Sequence, residues 1–195
     1  MAPSLPGATG RGGRLDPHTH DIVTWDLETQ FLADEVGCWD NKAAMKVSVA
    51  VLYSSKEKEF RHYTEGQIPQ MIARLKQADL VVGFNNKNFD NAVMAAYPGG
   101  LDLAGLPTLD LLEEVTRSLG RRLKLDSLAQ ATLGTPKSAD GLMAVQWWRE
   151  GRLKELLDYC QMDVALTRDL WEFGRKYGYL LYEEKRGLMR LPVDW

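Results

Sequence analysis

Cysteine and long apolar runs are what this sequence has least of. Two cysteines, Cys38 and Cys160, are too few for a disulfide framework, and their separation matches no zinc-ligand pairing, so they read as free thiols in a reducing compartment. No stretch approaches the roughly 20 apolar residues that a membrane span needs, and the first residues lack the apolar core of a secretory signal. The expectation is a cytoplasmic protein with no membrane partner. A basic excess is missing too: the formal charge is −3, where a phosphate binder ordinarily shows a positive balance or a basic face. What is present, 195 residues at 45% hydrophobic and 26% charged content, is enough for one substantial core.

Residues 1–20 mix Pro, Gly, Ser and Arg with no hydrophobic period, and are read as a disordered tail preceding one domain over 21–195. Residues 22–27 read as a short buried strand. In 46–53, Val47, Val49 and Val51 alternate against Ser48 and Ala50 to give a second, and 59–63 gives a third. A charged loop, 29–44, holds Trp39. Ile68, Met71, Ile72 and Leu75 have helical spacing within 67–77, and Leu80-Val81-Val82 follows as an apolar strand. A further helix is expected to begin near Asn88, a last central strand to span 106–112 and run into a helix ending at Gly120, and a short helix over 127–133 to close at Gly134. Helices over 139–150 and 152–176 and a hairpin of 179–183 with 188–193 complete the chain. The fold class is therefore α/β, a mixed sheet flanked by helices with a C-terminal β-hairpin.

Three local patterns carry chemistry. Trp25-Asp26-Leu27-Glu28-Thr29 ends the first strand, and residues two apart project from one face, so Asp26 and Glu28 sit side by side. A divalent cation would relieve their repulsion; a solvated strand end would do so equally. In Val82-Gly83-Phe84-Asn85-Asn86-Lys87-Asn88-Phe89-Asp90 an apolar strand meets a turn and a helix start, and Asp90 is either a ligand or a helix-start aspartate favoured by the macrodipole. In Tyr159-Cys160-Gln161-Met162-Asp163, Tyr159 and Asp163 are four apart on a helix whose Leu153, Leu156, Leu157, Cys160, Val164 and Leu170 turn them inward. An inward carboxylate needs a partner, either a cation or an Arg or Lys.

In this order the three patterns resemble the exonuclease motifs of the DEDD superfamily, and Tyr159 places the chain in the DEDDy branch. Position 158 is Asp, so the His-x-x-x-x-Asp arrangement of the other branch is absent, and His18, His20 and His62 lie far from the third motif in sequence. Residues 82–90 and 159–163 are most similar to the proofreading exonuclease domain of family B DNA polymerases, with the likeness running over about 21–176. The sequence ends soon after the third motif, which resembles the bacterial stand-alone exonucleases related to that domain, some of them joined to helicases.

The resemblance implies a ribonuclease H-like fold and a 3′→5′ exonuclease acting on DNA, preferring single-stranded or frayed ends. Two divalent cations, Mg²⁺ or Mn²⁺, would be held by Asp26, Glu28, Asp90 and Asp163, with Tyr159 orienting the attacking water. Such a loaded site would turn the formal charge positive. The resemblance also marks Leu32 as a wedge against the terminal base, the Thr29 backbone as a holder of the 3′-hydroxyl, and Asn85 and Phe89 as substrate contacts. Phe89 reads equally as core and Asn85 as a turn residue. A 3′→5′ exoribonuclease of the same branch and a non-catalytic nucleic-acid-binding or helicase-docking module are the alternatives. Asp110 reads as a helix start. Arg117, Arg121, Arg122 and Lys124 read first as helix-end cations and then as phosphate contacts; Trp147-Trp148 reads as core or as a base-stacking pair.

Overall fold

The β-branched and aromatic run Ile22-Val23-Thr24-Trp25 sets strand β1 (Ile22–Thr29) in the middle of the fold, where all four of these side chains are buried. β1 pairs antiparallel with β2 (Val47–Ser54), which pairs antiparallel with β3 (Glu59–Thr64). On its other side it pairs parallel with β4 (Leu80–Gly83), which pairs parallel with β5 (Thr108–Asp110). The strand order is β3-β2-β1-β4-β5, the mixed sheet expected. The computed structural model describes residues 15–135 and 141–195. Positions 1–14 of the tail and positions 139 and 140 of an expected helix lie outside the described residues. Of the rest of the tail, the Asp16 carbonyl accepts from the Thr19 and His20 N–H groups, and Leu15 packs on the core.

The helices are α1 (Ile68–Leu75), α2 (Asp90–Met94), α3 (Leu111–Leu119), α4 (Leu125–Leu133), α5 (Gly141–Arg149) and α6 (Leu153–Tyr177). Strand periodicity divides β1 between them. Val23, Trp25 and Leu27 point into a core shared with α1 and α2, whereas Asp26 and Glu28 face the opposite side, against which α6 lies. β2 alternates in sequence, yet both of its faces are buried: Ala50 and Leu52 pack toward α1, Val49 and Val51 toward α6. α3, α4 and the second half of α6 form a further cluster with the hairpin of β6 (Tyr179–Glu184) and β7 (Gly187–Pro192). The Trp195 indole N–H donates to the Trp171 carbonyl at 3.1 Å, and its ring seats so closely on Gly174 that a Cβ there would fall 2.7 Å from it. Among the described residues no helix is long and apolar enough to cross a membrane.

Among the boundaries that differ from the sequence reading, two lie next to the acidic side chains. β5 is shorter than 106–112 because the Asp110 side chain caps the next helix, accepting from Leu112 N and Glu113 N. α2 begins at Asp90 rather than near Asn88, because Asn85 takes a left-handed φ of 72° and its carbonyl accepts from both Asn88 N and Phe89 N.

Candidate active site

The carboxylates come from three separate elements. Asp26 and Glu28 project from β1 just before an irregularity in its pairing with β2, between Glu28 and Thr29; such bulges re-aim side chains at strand ends. α6 crosses beneath them with Leu156, Cys160 and Val164 packed on Val49 and Val51, an i, i+4 stripe that turns Tyr159 and Asp163 toward β1. One oxygen from each of Asp26, Glu28 and Asp163 lies within 4.8 Å of the others. Asp90, at the start of α2, is fully buried and near enough to Asp26 to repel it.

Burial and mutual repulsion act together on these groups. The Asp26 carboxyl is held well above the usual carboxylate range, first by burial and then by the charges of Asp90, Glu28 and Asp163. Glu28 is raised well above its ordinary value by burial and by Asp163 and Asp90. Burial pushes Asp90 up to about 7, with the Asp110 charge adding to it. Asp163 is also pushed up to about 7, by burial and then by Asp126, against a hydrogen bond from Tyr159 that favours its charged form. Asp90 Oδ1 and Asp163 Oδ1 are buried without any hydrogen-bond partner. A hard divalent cation held among Asp26, Glu28 and Asp163 would offset their repulsion, and their carboxylate oxygens are the donors such an ion takes; Asp90 stands outside that three-oxygen cluster. Burial also raises the Tyr159 phenol, which therefore stays protonated, and keeps the Cys160 thiol neutral.

Next to Glu28 opens a largely apolar pocket of about 360 Å³, walled by Thr29, Leu32, Trp39, Phe89, Leu142 and Val145 among others. Three residues expected at the substrate, Thr29, Leu32 and Phe89, thus meet in one place. Asn85 does not: its side chain accepts from Arg122 Nη2 at 2.8 Å, outside this pocket. Asn86 is the buried one of the pair. Its amide lies so close over Gly83 that a Cβ at Gly83 would fall 1.5 Å from Nδ2, and neither of its polar atoms has a partner.

The sequence reading missed several participants. Asp126, in the first turn of α4, bears electrostatically on both Asp163 and Tyr159, and no local motif announces it. Asp110 is the helix cap expected, but the same carboxylate accepts from Asn85 N at 2.8 Å and Lys87 N at 3.1 Å, stapling the turn that leads to Asp90. Trp39, exposed at 57%, stacks on Phe89 with ring centroids 5.5 Å apart and planes at 25°, and the Lys42 ammonium lies 5.4 Å from its centroid. Of the cations read first as helix-end residues, Arg117 pairs with Glu114 and Arg121 with Glu184. A larger cavity, about 540 Å³ between α4 and the hairpin, is lined by none of the four carboxylates.

A mixed sheet of this order, with acidic side chains supplied by its central strand and by a crossing helix, defines a ribonuclease H-like protein. Residues 24–173 match the model of the RNase H superfamily, and the chain belongs to that superfamily. Among solved structures it is similar to the family B DNA polymerase from the hyperthermophilic archaeon Pyrobaculum calidifontis, with a TM-score of 0.60 and 19% sequence identity over 80% of this chain. The matched part is 24% of the polymerase, so the chain corresponds to about a quarter of it. No curated protein matches the sequence.

Proposed function

We propose that the protein is a 3′→5′ exonuclease of the DEDDy branch, removing nucleotides from the 3′ end of single-stranded or frayed DNA. The observation that carries this is the convergence of Asp26, Glu28 and Asp163 within 4.8 Å, beside the unpartnered buried oxygen of Asp90 and the protonated phenol of Tyr159. Asp26, Glu28, Asp90 and Asp163 would hold two Mg²⁺ or Mn²⁺ ions, which when bound supply an activated water and neutralise charge building on the phosphate. Tyr159 hydrogen-bonds the attacking water and orients it, a task for a neutral hydroxyl. The terminal nucleoside sits in the pocket beside Glu28, with Leu32 and Phe89 against its base and the Thr29 backbone at its 3′-hydroxyl. Trp39 stands at the pocket mouth as a platform for the following base, which favours an unpaired end. The domain we assign to this activity is 21–195. A helicase or another DNA-processing protein is the partner class that the resemblance suggests.

The test is degradation of 5′-labelled single-stranded DNA and matched RNA with Mg²⁺, Mn²⁺ or EDTA, alongside Asp26→Ala and Asp163→Ala. A ladder shortening from the 3′ end, abolished by EDTA and by either substitution, is expected, with DNA preferred. Preference for RNA would make the enzyme an exoribonuclease. Intact substrate throughout, bound equally by wild type and variants, would leave a non-catalytic nucleic-acid-binding module.

A further inference from the structure

Tyr159 is held at two points. Its hydroxyl hydrogen-bonds Asp163, one helical turn on, and its ring meets the edge of Trp147 with centroids 5.9 Å apart and planes at 68°. The first restraint is not available during turnover on the reading proposed above, because Asp163 is then engaged as a ligand and the hydroxyl must turn to the water. The ring contact is what remains.

Trp147 is built to keep it. α5 and α6 are joined by a tight connection in which Gly151 takes a left-handed φ of 69°, and the Arg152 N–H donates to the Trp147 carbonyl at 2.9 Å. The Arg152 guanidinium also lies 5.7 Å from the centroid of the Trp147 ring, and is itself held by Glu155 and Glu150. Backbone and ring of Trp147 are thereby referenced to the start of α6. Tyr159 lies seven residues after Arg152, two turns along the same side of that helix. Two residues of α5 ahead of Trp147, Leu142 and Val145, wall the pocket beside Glu28. One short helix therefore touches both the pocket and the tyrosine.

We infer that Trp147 is a positioning residue that acts through Tyr159, fixing the phenol ring once Asp163 has released its hydroxyl. The inference rests on the function proposed above, in which Tyr159 orients the attacking water. Misplacement of such a group by about 1 Å can cost about 10²-fold in rate.

The experiment is a double-mutant cycle with Trp147→Ala and Tyr159→Phe, measuring kcat and KM on labelled single-stranded DNA with Mn²⁺, and binding of the same strand without divalent ions. Trp147→Ala is expected to lower kcat by about 10²-fold, leaving KM and metal-free binding near wild type. Trp147→Phe, which keeps an aromatic edge, should restore most of the rate. In the Tyr159→Phe background, Trp147→Ala should cause no further loss. Where Trp147→Ala does not fold, Trp147→Leu makes the same comparison. Additive losses, or a loss lying in KM or binding, would overturn the inference while leaving the exonuclease standing; an inactive wild type would instead overturn the function and the inference together.

Discussion

The Cys160 thiol lies 3.5 Å from the main-chain oxygen of Asp26 and 4.0 Å from its Oδ2. A small, fully buried, uncharged side chain at this point lets α6 come close enough to β1 for Asp163 to meet Asp26 and Glu28. Enlarging it should separate them. Cys160→Leu is expected to destabilise the fold by about 1–3 kcal/mol through overpacking and to weaken Mn²⁺ binding, whereas Cys160→Ala keeps the metal. Denaturant unfolding and Mn²⁺ titration of both variants check this, and Mn²⁺ bound by Cys160→Leu as tightly as by wild type would refute the spacing role.

Metal-free protein should lose stability as the pH rises. Asp90 and Asp163 are raised to about 7, with Asp26 and Glu28 also well up, so the fold binds these protons more tightly than the unfolded chain does. Their stabilising contribution is complete below the ordinary carboxylate range of about 4 and is lost as the pH climbs through about 7. Thermal melts in EDTA should show Tm falling from about pH 5 to about pH 8, and Mn²⁺ should restore it most at the alkaline end, where the ligands are deprotonated. A Tm that rises with pH in EDTA would contradict the crowding of charge at this site.

Asp110 gives four acceptor contacts from one buried carboxylate, two to α3 and two to the turn before Asp90. Losing them should cost about 3 kcal/mol, more than an ordinary cap, because the Asn85 N–H and Lys87 N–H lose their acceptor as well. Asp110→Ala is thus expected to lower both the unfolding free energy and the metal affinity, while Asp110→Asn retains part of each. Chemical denaturation and Mn²⁺ titration separate the two effects.

Trp39 offers an exposed ring backed by Phe89 and flanked by Lys42. Trp39→Ala should weaken binding of a short single strand by about 1–3 kcal/mol with little change in protein stability, and Trp39→Phe should keep most of the affinity. Fluorescence anisotropy with a labelled oligonucleotide makes the measurement. Unchanged affinity in Trp39→Ala would remove the stacking platform from the pocket mouth.

Much of the arrangement was readable because it rests on short-range periodicity. The two-residue repeat of β1 places Asp26 with Glu28, and the four-residue repeat of α6 places Tyr159 with Asp163. Legibility stops where side chains from distant elements decide. β2 alternates in sequence but is covered on both faces, since α1 and α6 clamp it from either side. Asn85 and Asn86 are identical letters, and only the left-handed φ of Asn85 determines that one reaches Arg122 while the other is buried over Gly83. Asp126 reaches the site because α4 packs against α6, a relation no local pattern encodes.

The docking of the last long helix on the first strand also sets a timetable. A chain leaving the ribosome carries Asp26, Glu28 and Asp90 well before Asp163 is made, and the three-oxygen cluster does not exist until α6 has been synthesised and laid across β1. On the function proposed above, cleavage would therefore wait on the completion of folding.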